Sequence, residues 1–274
     1  LILEKSARLE LAPGVSVLVQ GPLIVRGTAV NPVFIRPLRE DSAFGSIAVS
    51  IDDRENMGCN LRGLRIGGGS EARINGFYHS GMLSMHGAAE VLMEDCEVEG
   101  SHGEDALNIK RGHVLIRDCV FQDGHADLVD LDYVNGEVRD CIFRNGREDS
   151  NGDGLDVSGS HVLIAGCSFI KLLDKGISVG EVSEVLVVGC TFTANHLAMA
   201  VKDLSIAYVD ACTFTENSTV FGVYRKKPVY GGARLLLYSN TFTGNARERE
   251  VDGFSAILQK DALDANLKLD FGVR

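Results

Sequence analysis

The chain has 274 residues, 45% of them hydrophobic and 24% charged, with a formal net charge of −11 at pH 7. Such values suit an ordered soluble chain that buries one long core, and they argue against nucleic acid as a partner and against passive attraction of polyanions. No run reaches the roughly 18 apolar residues of a membrane span, so membrane insertion is not expected.

The chain opens at Leu1, without Met and partway into a strand-like run, and carries no charged-then-apolar leader. We therefore expect a piece of a longer protein with other domains. Residues 1–60 are the least regular, with Leu9 to Val17 and Leu23 to Gly27 reading as strands around Pro13-Gly14, an opening set of coils or a cap.

Regular text runs over 81–245. Cys119-Val120-Phe121, Cys141-Ile142-Phe143, Cys167-Ser168-Phe169, Cys190-Thr191-Phe192 and Cys212-Thr213-Phe214 recur every 22 to 26 residues. Cys96 precedes them and Asn240-Thr241-Phe242 closes the series. Self-similarity at this period marks a solenoid. Before each Cys lie two short runs, such as Leu128 to Asp132 and Val114 to Cys119, in which apolar residues alternate with polar or small ones. That is the period of half-buried strands, and the Gly, Asn, Asp and Ser at the joins leave no room for a helix. Strands and turns stacked about 4.8 Å apart make a parallel β-helix. The leucine-rich frame of similar period is absent. The predicted fold is all-β, a single-stranded right-handed parallel β-helix of about ten coils forming one domain over 1–274, with 246–274 as a last coil or terminal cap.

The Cys and Phe columns are expected to point inward, the thiols free and structural, since no Cys-x-x-Cys pair supports zinc. The seven histidines show no ligand spacing. Asn195, Asn217 and Asn245 share one turn position and should stack as an amide ladder.

Phased on this ruler, one outward column reads Asn108, Asp130, Asp156, Ser178, Ala200 and Gly222. A second reads Lys110, Asp132, Ser158, Gly180, Lys202 and Tyr224, and where the turn enters the strand come Asp105, Asp127, Asp153 and Lys175. Asp130 and Asp156 in vertical register would repel by about 3 to 4 kcal/mol at an effective dielectric of 20. A bound cation, an interposed lysine, or a retained proton with a raised pKa would resolve this. The first suits calcium, the last the paired carboxylates of glycoside hydrolysis. Two further stretches stand out: Asp174 to Glu181, and Tyr224-Arg225-Lys226-Lys227, which opens an insertion expected to wall one side of a binding face.

Through Leu9 to Val17, Asp127 to Asp132, Asn151 to Val157, Asp174 to Glu181, Lys202-Asp203 and Tyr224 to Gly232, the chain resembles the right-handed parallel β-helix repeat proteins of the pectate-lyase-like superfamily, including β-helix regions beside CotH-type modules. Asn151-x-Asp153-Gly-x-Asp156 and Gly176 to Gly180 are similar to polygalacturonase strand motifs. That family's adjacent Asp-Asp coil, Gly-His-Gly and Arg-Ile-Lys are missing, and Asp174-Lys175 stands where Gly-His would be. The Asp-Pro-His motif of alginate epimerases is also absent. An Asp-lined calcium site beside a basic residue resembles pectate-lyase logic.

The resemblance implies a secreted or cell-surface protein whose partner is a polysaccharide, foremost a calcium-dependent lyase of uronate-containing glycans. In that scheme Asp130, Asp132 and Asp156 hold calcium and Lys175 or Arg225 is the base. Lys110, Asp174, Glu181, Lys202, Tyr224 and Lys226 contact substrate. The alternatives are a polygalacturonase-type hydrolase using Asp153 and Asp156, and a non-catalytic structural or glycan-binding β-helix.

Overall fold

The computed structural model describes residues 1–52, 55–145 and 152–262. Asn151 of the expected strand motif, and 263–274 of the expected closing segment, lie outside the described residues. All the described elements are β-strands, and no described helix is long and apolar enough to cross a membrane.

Each coil visits three faces in turn. The first face carries Val17–Val19, Ile47–Ser50, Gly81–His86, the leading halves of Asp105–Arg117 and Asp127–Arg139, then Leu155–Ser158, Lys175–Gly180, Leu197–Lys202, Thr219–Tyr224 and Arg247–Val251. The second runs from Ile2–Glu4 through the trailing halves of the two long strands to Ala256–Gln259. The third is a parallel 10-stranded sheet from Arg8–Leu11 to Thr241–Thr243. The opening residues are thus coils of the same plan. Arg247–Val251 adds one more first-face strand, with its side chains exposed.

A flat coil must turn sharply, and each turn uses residues with positive φ. The corner between the first and second faces is turned by Gly87, Arg111, Tyr133, Gly159, Glu181 and Asp203. The corner before the third face uses Asp95, Asp118, Asp140, Gly166, Gly189 and Ala211. Left-handed backbone is natural for Gly and tolerable for Asp or Asn, whose side chains bond locally. This explains the Asp that so often precedes the repeat Cys.

Inside, the repeat produces ladders. Phe121, Phe143, Phe169, Phe192, Phe214 and Phe242 stack ring on ring, with successive centroids 4.7–5.4 Å apart. All seven cysteines are free and buried. Asn195 Nδ2 donates to Asn217 Oδ1 (3.0 Å), and Asn217 Nδ2 to Asn245 Oδ1 (2.9 Å). The same oxygens accept the backbone N–H groups of Asn195 and Asn217, so buried turn amides are satisfied by side chains. A serine ladder at another corner, absent from the sequence expectations, works the same way: Ser160 N–H donates to Ser183 Oγ (3.0 Å) and Ser183 N–H to Ser205 Oγ (3.1 Å).

One turn departs from the plan. Residues Ala72–Ile74 and Phe77–His79 form an antiparallel hairpin around Asn75-Gly76, both with positive φ, which matches the Asn-Gly turn chemistry of tight hairpins. It stands where the chain passes from third face to first.

Candidate active site on the first face

The first-face strands hold Asn108, Asp130, Asp156 and Ser178 in lateral register, with Ser84 one coil earlier. Their neighbours along the strand, such as Leu107 and Ile109, fill the core, so the column points outward. Yet Ser84, Asn108 and Ser178 are 0% exposed. The column is the floor of a groove whose rims are built by the turns on either side.

Carboxylates converge in the middle of this floor. Single oxygens of Asp127, Asp153 and Asp156 all lie within 4.8 Å of one another. Asp127 Oδ1 accepts the backbone N–H of Asp153 at 2.7 Å, which draws the two turns together. Burial first, then the charge on Asp153, pushes Asp127 well above the ordinary carboxylate range. Asp130 is raised likewise, by burial and then by Asp105. Burial lifts Asp153 to about 6 against the pull of Lys175, and lifts Asp105 to about 7. Several acids sharing a poorly hydrated floor cannot all ionise, so protons remain at neutral pH.

Each cation has a place in this field. Lys175 Nζ donates to Asp153 Oδ1 (3.0 Å) and to Asp174 Oδ2. Burial disfavours its charge, but the two carboxylates prevail and hold it protonated above its ordinary range. Lys202, 6% exposed, reaches along its neighbour coil to place Nζ 3.9 Å from Asp156 Oδ1. It crosses Gly180, where a Cβ would come within 2.9 Å of Lys202 Cε, so the missing side chain makes the path. Lys110 pairs with Asp132 Oδ2 at 3.0 Å.

The structure regroups the expected site residues. Asp130 bonds the Asn108 amide (2.8 Å) and Asp132 pairs with Lys110, and among the described residues the carboxylates whose oxygens come together are Asp127, Asp153 and Asp156. Lys175 is in the site, but its raised pKa is the reverse of what a lysine base needs. Arg225 does not face the carboxylates: its guanidinium lies 3.8 Å over the Phe254 ring. Lys226 is exposed, and Asp203 Oδ1 holds its backbone N–H at 2.7 Å. Glu181 pairs with Lys227 at the corner. Tyr224 is half-buried and lines, with Asp174, Lys175, His196, Leu197 and Arg247, an open depression of about 520 Å³ adjoining the floor.

Sequence reasoning missed the other end of the groove. His79, at the foot of the hairpin, stacks on His86 with centroids 4.8 Å apart, and His86 Nε2 meets Asn108 Oδ1 at 2.9 Å. The chain of contacts therefore runs from His79 to His86, Asn108 and Asp130. Burial lowers both imidazoles, which keeps them neutral near pH 7. His79 Nδ1, Ser80 Oγ and Asp105 Oδ2 are buried without hydrogen-bond partners. A depression of about 530 Å³ on the second face is chemically different: it is lined by Leu92, Met93, Leu115 and Ile116, and its charges pair among themselves, as Arg117 with Glu94 (3.1 Å) and Arg139 with Glu137.

Three-faced coils, inward Cys and Phe ladders and an outward polar floor define a right-handed parallel β-helix with one chemically distinct face. The family described as "Right handed beta helix region" matches residues 80–246, and the chain belongs to it. No curated protein matches the sequence. Among solved structures it is similar to full-length tailspike protein 2 of an Escherichia coli O157:H7 bacteriophage (TM-score 0.52, 10% identity, 90% of this chain and 39% of that one). It is similar also to the enzymatically active domain of bacteriophage CBA120 tailspike protein 2 (0.53, 9%, 89% and 43%). An alginate lyase from Paenibacillus sp. matches more loosely (0.44, 12%, 94% and 93%). The chain spans about two-fifths of the tailspike structures it matches. At these identities the likeness speaks for the fold alone.

Proposed function

We propose that the chain is an extracellular or surface polysaccharide-active enzyme that hydrolyses glycosidic bonds with paired carboxylates on the first face. The observation that carries this reading is the convergence of Asp127, Asp153 and Asp156 within 4.8 Å, Asp153 buried and the other two half-buried. Asp153, raised to about 6, is the general acid, since a catalytic pKa works best near the operating pH. It gives its proton to the glycosidic oxygen as the leaving sugar departs. Asp156, beside Lys202, takes the new bond to the anomeric carbon. Water then attacks that carbon, delivers its proton to Asp153 and frees Asp156. Carboxylate oxygens this close suit a paired-carboxylate reaction, and the covalent step through Asp156 makes the expected course a retaining one. Asp127 stays protonated and limits the charge of the pair.

The same triad favours a second reading, the calcium-dependent uronate lyase. Three carboxylate oxygens and the partnerless Ser178 Oγ, in register with Asp156, suit a hard cation that takes oxygen ligands at 2.3–2.6 Å. Calcium there would neutralise a substrate carboxylate. Against it, Lys175 is held protonated by its two carboxylates, and Arg225 lies over the Phe254 ring. Incubation with neutral and uronate polysaccharides, following reducing ends and unsaturated-product absorbance with and without chelator, separates the two. Reducing ends without unsaturation, lost in Asp153→Asn, support hydrolysis; unsaturated products that need calcium support the lyase; no cleavage of any polymer overturns both.

A further inference from the structure

Among the described left-handed residues Tyr133 is the sole aromatic (φ 55°), and it is 62% exposed. The equivalent corner is held by Gly87 and Arg111 on the two coils before and by Gly159 and Glu181 on the two after, and only the glycines take this backbone free of strain. A bulky side chain held left-handed carries strain, and this one leaves most of its surface in water. Its ring lies on Gly159 of the next coil, where a Cβ would come within 2.7 Å of ring carbons Cδ1 and Cε1. Tyr and Gly thus form a matched pair that lays a flat aromatic face on the rim of the groove. Tyr133 directly follows Asp132, and Gly159 lies three residues beyond Asp156, about 10 Å along an extended strand. That is about two sugar units from the carboxylates. Asp132, Lys110 and Ser158 beside it are polar, so here the apolar face of a pyranose can be held while its hydroxyls meet them.

Resting on the polysaccharide reading above, we propose that Tyr133, seated on Gly159, is the stacking platform of a subsite for a neutral hexose or pentose unit of the substrate chain. It is a binding residue and takes no part in bond cleavage. The test is affinity gel electrophoresis of wild type, Tyr133→Gly and Tyr133→Phe in gels containing a β-glucan, a xylan or a mannan, with melting temperatures alongside and KM and kcat on any polymer cleaved. Tyr133→Gly should melt no lower than wild type, because it relieves the corner, yet lose retardation or raise KM roughly 2- to 10-fold with kcat kept. Tyr133→Phe, which keeps the face, should behave as wild type. Equal retardation of wild type and Tyr133→Gly, a phenylalanine variant as impaired as the glycine one, or no retardation by any neutral polymer would each overturn the subsite. Retardation lost in Tyr133→Gly without cleavage by wild type would leave the subsite standing and remove the enzyme reading.

Discussion

The phenylalanine ladder and the first-face floor are built from the same coils at the same spacing, and they obey opposite rules. In the ladder each coil repeats its neighbour: Phe143, Phe169 and Phe192 are 0% exposed and stack within 4.9 Å. On the floor the side chain changes from coil to coil, and its one adjacent match, Asp130 and Asp156 between Asn108 and Ser178, sets carboxylate beside carboxylate. Stacking like on like stabilises when the residue is an aromatic hydrocarbon and destabilises when it is a carboxylate. The ladder therefore holds the rod together, while the floor keeps an arrangement that weakens it, and buried polar groups of that kind mark function.

The largest stability effect should come from breaking the ladder. Phe169→Ala, which opens a hole between two rings, is expected to lose about 3–5 kcal/mol in urea unfolding. The amide ladder is the next test: Asn217→Ala orphans the N–H of Asn195 and the carbonyl of Phe192, for a loss of about 1–3 kcal/mol in the same measurement. On the floor the sign should reverse. Asp130→Asn keeps an oxygen for the Asn108 amide and removes an acid that burial keeps protonated, so at pH 7 the variant should melt higher than wild type.

The pH dependence follows from the same acids. Asp153 and Asp105 rise from 3.8 to about 6 and about 7 on folding, so between those limits the folded chain binds more protons than the unfolded one. Their contribution to stability is full below pH 4 and declines as pH rises through 4 to 7. Melting temperature should fall over this window, and Asp105→Asn should flatten the fall. The smallest expected effect on stability is that of Gly180→Ala, where only the flexible Lys202 chain must yield; stability should change by less than about 1 kcal/mol. Activity should nevertheless drop, because Lys202 is moved off Asp156.

Much of this was legible in the sequence. The Cys-x-Phe ruler phased the coils well enough that Asn108, Asp130, Asp156 and Ser178 stand in one column in the structure, as do Lys110, Asp132 and Ser158. The choice among carboxylates was less legible. Strand alternation places Asp130 and Asp132, but Asp127 and Asp153 lie where the turn enters the strand, and there alternation no longer says which way an oxygen points. Side-chain reach was also hidden: that Lys202 would cross Gly180 to Asp156, while Arg225 turned to Phe254, depends on which neighbour has no Cβ and which has a ring. The hairpin was missed although Asn75-Gly76 between apolar residues announces it. His79 lies before the regular run, and His86, though in register with Lys110, carried no ligand spacing to single it out.

The most direct test is cleavage by wild type and Asp156→Asn of a panel of neutral and uronate polysaccharides in the presence of chelator, read as reducing ends and as product anomer. The expected result is retained-anomer products from wild type and a kcat lower by about 10²–10⁴ in the variant, whose melting temperature is not reduced. Cleavage by Asp156→Asn at the wild-type rate, or activity that appears only with calcium, would contradict it.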